Sequence, residues 1–148
     1  MSDLYERDFY TWAADQAALL RTGNLSAIDA PNLAAELEDQ MGSVQNELTS
    51  RLGVLLAHLL KWQFQPERRG KSWRLTIGEQ RRRVARLLRK NPGLKGELPE
   101  VFADAYGDAL LIAERETDLS AAAFPAACPW SFDQALDDAF WPGQDATP

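Results

Sequence analysis

Apolar residues recur along this chain at alternating spacings of three and four, the period of a helix with one buried face. From Leu4 to Arg21 the repeating positions are Phe9, Trp12, Ala13, Gln16, Leu19 and Leu20. Ser2 or Asp3 is placed to cap that helix, and "TGN" at Thr22 to Asn24 to stop it, with glycine at the usual C-terminal position. A second run opens at "SAIDAPN", where Pro31 suits a first helical turn because its missing N–H would have no helical partner there. Leu33, Leu37, Met41, Val44, Leu48, Leu52, Leu55, Leu59 and Trp62 then make one stripe, unbroken until Pro66. Gly42 and Gly53 weaken the pattern without ending it. The spacing predicts one helix of about 32 residues, ~48 Å long. Its first half is amphipathic. Its second half, "LGVLLAHLL", is apolar on nearly every side, as suits a helix at the centre of a bundle.

Ser72 is the predicted cap of a third helix, running from Trp73 to about Lys90. At 100° per residue, Trp73, Ile77, Val84, Leu87 and Leu88 fall in one stripe. Arg82, Arg83, Arg86, Arg89 and Lys90 take the other side, with Arg74 and Arg81 on its flank. "NPG" at Asn91 to Gly93 breaks the chain, and a short turn to Leu98 leads to a fourth helix, Pro99 to about Thr117. That helix should bury Val101, Phe102, Ala105, Leu110 and Ile112 or Ala113. Ser131 and Gln134 form a capping-box pattern for a short last helix, Phe132 to Phe140, and "WPGQDATP" should fray. There is no strand-like alternation and no internal repeat. The pattern predicts an all-α, single-domain helical bundle over residues 1–148, ordered from about 4 to 142. It has four main helices, a long central second helix and a short C-terminal one.

Composition adds bounds rather than detail. At 148 residues the chain is the size of one domain able to bury a core without metal or disulfide staples. Its 45% hydrophobic and 26% charged content is that of a globular protein. No apolar run approaches the ~20 residues of a membrane span. The acidic, polar start "MSDLYERDFYTW" lacks the features of a secretory signal. A lone Cys128 cannot form an internal disulfide, which fits a reducing compartment, so the expected location is the cytoplasm.

Charge changes the picture more. The net charge of −6 hides a basic centre: residues 61–90 carry 11 Lys or Arg against 2 Glu. Residues 1–60 carry 3 basic and 9 acidic groups, and residues 91–148 carry 2 and 11. Such a pattern either attracts an outside polyanion or lets the protein neutralise itself.

Four stretches carry a family resemblance: "DFYTWAADQAALLR", "NLAAELED", "HLLKWQFQPERRGKSWRLTIGEQR" and "FPAACPWSFDQALDDAFWP". In this order, spanning Tyr5 to Pro142, they resemble the bacterial domain-of-unknown-function family twenty-nine, and the long central stretch is the most specific of them. The resemblance implies a small, single-domain, all-helical protein and supplies no reaction. Gly78 and Pro99 depart from what a helix would prefer, which bears on helix boundaries only.

Candidate chemistry is sparse. His58, the only histidine, shares a face with Gln40, Glu47 and Arg51, so a general base or metal ligand with Glu47 nearby is one reading. A neutral, hydrogen-bonded imidazole in a polar seam is the weightier one, because bundle metal sites need Glu-x-x-His pairs and Leu55 stands three before His58. Glu36, Glu38 and Asp39 could do acid–base work but read better as decoration of an early helix turn. Cys128 could be a nucleophile beside a base, yet a packed thiol under the final turn is the simpler reading. No phosphate loop, zinc-type cysteine spacing or serine-hydrolase elbow occurs, so no catalytic constellation, metal or cofactor is expected.

The basic helix is the best surface: Arg74, Arg81, Arg82, Arg83, Arg86, Arg89 and Lys90. It could bind a protein partner, bind a second copy in a homo-oligomer, or grip nucleic acid with Trp62 and Trp73 close in sequence. A pI near 4.8 argues against nucleic acid. Asp104, Asp108, Glu114 and Glu116 could instead occupy the arginines from within.

Overall fold

The computed structural model describes residues 3–143. Among these there are six α-helices and no strand: α1 (Leu4–Arg7), α2 (Phe9–Arg21), α3 (Ala30–Phe64), α4 (Lys71–Lys90), α5 (Leu98–Glu116) and α6 (Phe132–Leu136). The chain is all-α. Its contacts group into two compact units, residues 1–43 and 44–148, with α3 running through the boundary.

In the first unit the predicted helix from Leu4 to Arg21 is two helices, divided at Asp8. Aspartate competes with helix continuation because its side chain can cap a new helix at the next residue. Here the Asp8 carboxylate accepts from the Thr11 N–H at 3.1 Å and from the Thr11 hydroxyl at 2.6 Å. Those bonds hold its carboxyl below the usual range. Asp3 precedes α1 without capping it and pairs with Arg7 at 2.8 Å instead; Ser2 lies outside the described residues.

Asp29 organises the unit's interior. It accepts from Trp12 Nε1 at 3.0 Å and Asn32 Nδ2 at 2.8 Å, while its own N–H donates to Gln16 Oε1 at 2.7 Å. Tyr5 packs on Trp12, and its hydroxyl donates to Glu36 at 3.0 Å.

Trp12 is the one buried hydrophobic residue described in this unit. The predicted burial of Leu37 and Met41 does not occur: they stand 68% and 70% exposed. The side-chain bonds from α1 and α2 fall on Asp29, just before α3, and on Glu36, which lies 100° around the helix from Leu37 and off the apolar stripe.

The second unit holds the core. Leu48, Leu52, Leu55, Leu56, Leu59 and Leu60 of α3 are fully buried, with Ile77 and Val84 of α4 and Val101, Ala105, Ala109 and Ala113 of α5. The helix ends at Phe64, because Pro66 cannot continue the hydrogen-bond ladder, and a 3-10 turn (Pro66–Arg68) follows. The predicted cap at Ser72 is not used. Extended Gly70 precedes the helix, α4 starts at Lys71 and Ser72 lies inside its first turn. A 3-10 segment (Pro92–Glu97) bridges to α5, which starts one residue before the predicted Pro99.

The Ser131–Gln134 capping box is present in full, but α6 stops at Leu136 rather than Phe140, where Asp137 turns extended. At the head of the stretch predicted to fray, Trp141 packs against Trp62 with ring centroids 4.7 Å apart and planes tilted by 44°, and Pro142 is buried. Residues 144–148, the rest of that predicted tail, lie outside the described residues.

Candidate functional site

Helical phase divides the arginines of α4. Ile77 and Val84 face the core, which turns Arg82, Arg83, Arg86, Arg89 and Lys90 outward; Arg74, on the flank near the helix start, is exposed with them. Arg74, Leu75, Gly78, Arg82 and Arg86 line an open groove of about 720 Å³ with Glu79 and Asp138. It continues into a hollow of about 320 Å³ beside Ala85, Arg89 and Leu136. Gly78 leaves a notch in the side-chain surface of α4, and a Cβ there would meet nothing within 4 Å, so the space beside its backbone is open. Arg83 is tied to Glu79 at 3.1 Å, one turn away. The side chains of Arg74, Arg82, Arg86, Arg89 and Lys90 make no hydrogen bond or ion pair with the described residues.

Arg81 leaves the predicted surface. It is 2% exposed, donates from Nε to the Ala135 carbonyl at 2.8 Å and from Nη2 to the Phe140 carbonyl at 2.7 Å, and lies over the Trp141 ring. Burial pushes its pKa down, opposed by Asp138 and Asp137. Arg69 acts alike, donating to the Trp62 carbonyl at 2.6 Å and to the Pro142 carbonyl at 3.5 Å while lying over the Trp62 ring. These two side chains fasten the C-terminal segment to the bundle, a role the sequence reading missed. Flank position alone does not mark out Arg81, since Arg74 shares the flank with it and stays exposed.

The acidic groups offered as internal partners go elsewhere. Glu116 accepts from Lys61 at 2.7 Å, Glu114 accepts the Ala121 N–H at 2.8 Å, and Asp104 and Asp108 are exposed without ion pairs among the described residues. Lys61 was also missed. It is 4% exposed, and its ammonium sits over Trp73, 5.2 Å from the ring centroid. The Lys61 ammonium, by hydrogen bond and charge, holds the Glu116 carboxyl below its usual range.

The weaker candidates do not converge. His58 is half-buried, with Nδ1 2.9 Å from the Val54 carbonyl one turn back. Burial and then the Lys61 charge push its pKa down, against the Val54 bond and Glu116, so the neutral ring is favoured. Glu47 is eleven residues away along the same helix, ~16 Å, and faces Arg51 at 3.9 Å. Glu36, Glu38 and Asp39 lie beyond the first turn of a helix that starts at Ala30, where the helix dipole has faded, so the dipole does not account for them. Glu36 instead receives the Tyr5 hydroxyl. Cys128 is half-buried, and burial pushes its thiol up, against a bond from the Trp130 backbone. Among the described residues no group of three or more His, Cys, Asp or Glu could hold a metal ion, and no helix is long and apolar enough to cross a membrane.

Compared with known families, residues 4–141 match the one described as Domain of unknown function DUF29. No curated protein and no solved structure matches the chain.

Proposed function

The chain belongs to the DUF29 family, which is defined by no activity, and we propose that it is a small binding protein whose working surface is the arginine face of α4. Its partner is an acidic protein segment, either on another protein or on a second copy of the chain. The observation that carries this reading is that, among the described residues, the side chains of Arg74, Arg82, Arg86 and Arg89 have no hydrogen-bond or ion-pair partner around an open groove. A charge held in place by the helix but left without a partner is available for an incoming carboxylate, and guanidinium binds carboxylates in a two-pronged fork.

Nucleic acid is the second reading, favoured by the four arginines of α4 whose side chains have no partner among the described residues. Three observations count against it. The tryptophans that could stack on bases are engaged, Trp62 with Trp141 and Arg69, and Trp73 with Lys61. Glu79 and Asp138 interrupt the positive groove. The chain as a whole carries −6, which repels a polyanion at long range.

Fluorescence anisotropy separates the readings. A labelled acidic amphipathic peptide of about 20 residues, rich in Glu and Leu, should bind and lose its binding in Arg82→Glu with Arg86→Glu. Single- and double-stranded oligonucleotides should bind less well at equal salt. The proposal fails if the double variant binds the peptide as the parent does.

A further inference from the structure

We infer that the occupant of the arginine groove is the Leu37–Met41 face of a second copy of this chain. This deepens the reading above and rests on it. The groove sets out what its occupant must offer. Its cations need carboxylates, while Leu75, 58% exposed in the same groove, needs apolar cover. The Gly78 notch gives a partner helix room to approach the α4 backbone closely. An acidic helix with an open apolar stripe meets all three requirements.

The chain itself carries such a helix. Leu37 and Met41 lie one turn apart on α3, with Glu38 at the rim of their stripe. Residues 1–43 hold eight carboxylates against Arg7 and Arg21, so this unit carries −6 while the groove is positive. Among the described residues, six of the eight large hydrophobic side chains that stand exposed fall in this unit. One buried tryptophan does not justify so much open apolar surface, which marks an interaction face. Pairing two such faces directly would bring −6 against −6, whereas the arginine groove offers the opposite sign. The contact is therefore between unlike faces of two copies.

Unlike faces give a test that like faces cannot imitate. Sedimentation of the full chain over a range of concentrations should reveal association that weakens roughly tenfold or more as salt rises from low to high. Leu37→Asp with Met41→Asp removes one face, and Arg82→Glu with Arg86→Glu removes the other. Each double variant alone should be monomeric. An equimolar mixture should form dimers and nothing larger, because each pair retains one intact apolar face and one intact groove. Gly78→Phe, which fills the notch without changing charge, should also abolish association. Circular dichroism and urea midpoints verify that each variant is folded.

Three results would overturn the inference: a chain monomeric at every concentration, association that survives the arginine changes, or a mixture that stays monomeric. If the chain is monomeric while the acidic peptide still binds the groove, the inference falls and the proposed binding surface stands. If the peptide does not bind either, both fall.

Discussion

Arg81 and Arg82 are neighbours in sequence and differ in everything else. Arg81 is buried and spends its donors on two carbonyls of the C-terminal segment. Arg82 is exposed at a groove with no partner among the described residues. A rotation of 100° separates a residue that holds the fold from one free to bind. The two parts of α3 differ likewise: Leu52 is fully buried, and Leu37, on the same stripe, is 68% exposed. Residue type states what a side chain can do. The side of the helix on which it lies decides what it does.

Changes at the inward positions should cost most. Leu52→Ala should destabilise by about 2–5 kcal/mol, the range for emptying a packed site, whereas Leu37→Ala should stay within about 0.5 kcal/mol; urea unfolding measures both. Arg81→Ala should cost about 2–4 kcal/mol, because two carbonyls lose a charged donor and Trp141 loses its cover. Equal costs for Leu52→Ala and Leu37→Ala would end the contrast between the parts of α3.

Glu116→Gln should cost about 1–2 kcal/mol by leaving the buried Lys61 ammonium without its counter-charge, whereas Lys61→Met should be nearly neutral, since Glu116 is then free to hydrate. Acid should act in two stages. His58 and Glu116 both have depressed folded-state pKa values, so each contributes stability that is complete above its ordinary value and is lost as pH falls toward its folded one. Stability should decline below about pH 6.5 through His58 and further below about 4.5 through Glu116. His58→Gln should remove only the upper stage of that decline in a pH series of unfolding midpoints. One change should be a gain: Gly78→Ala should stabilise α4 by about 0.5–1 kcal/mol, because its new methyl meets open space.

Much of the fold was legible in the sequence because helical periodicity is local. The long α3, the amphipathic α4 and the Ser131 capping box arise from residues a few positions apart. The break at Asp8 was not legible, since aspartate caps or decorates according to which turn wins. Nor was the exposure of Leu37 and Met41, because a stripe records a face but not whether anything packs on it. The outward arginines could be placed by their phase. Arg81 could not, because its partners at Ala135 and Phe140 lie more than fifty residues away and are backbone atoms, which carry no sequence signature.

The central claim is that adjacent arginines of α4 divide fold from binding, and one paired measurement tests it most directly. Arg81→Met and Arg82→Met are each assayed for urea midpoint and for anisotropy with the acidic peptide. Arg81→Met should lower the midpoint and leave the affinity of the folded protein within about twofold, while Arg82→Met should hold the midpoint and weaken binding several-fold. If Arg82→Met lowers the midpoint as Arg81→Met does, or leaves binding unchanged, the division is wrong.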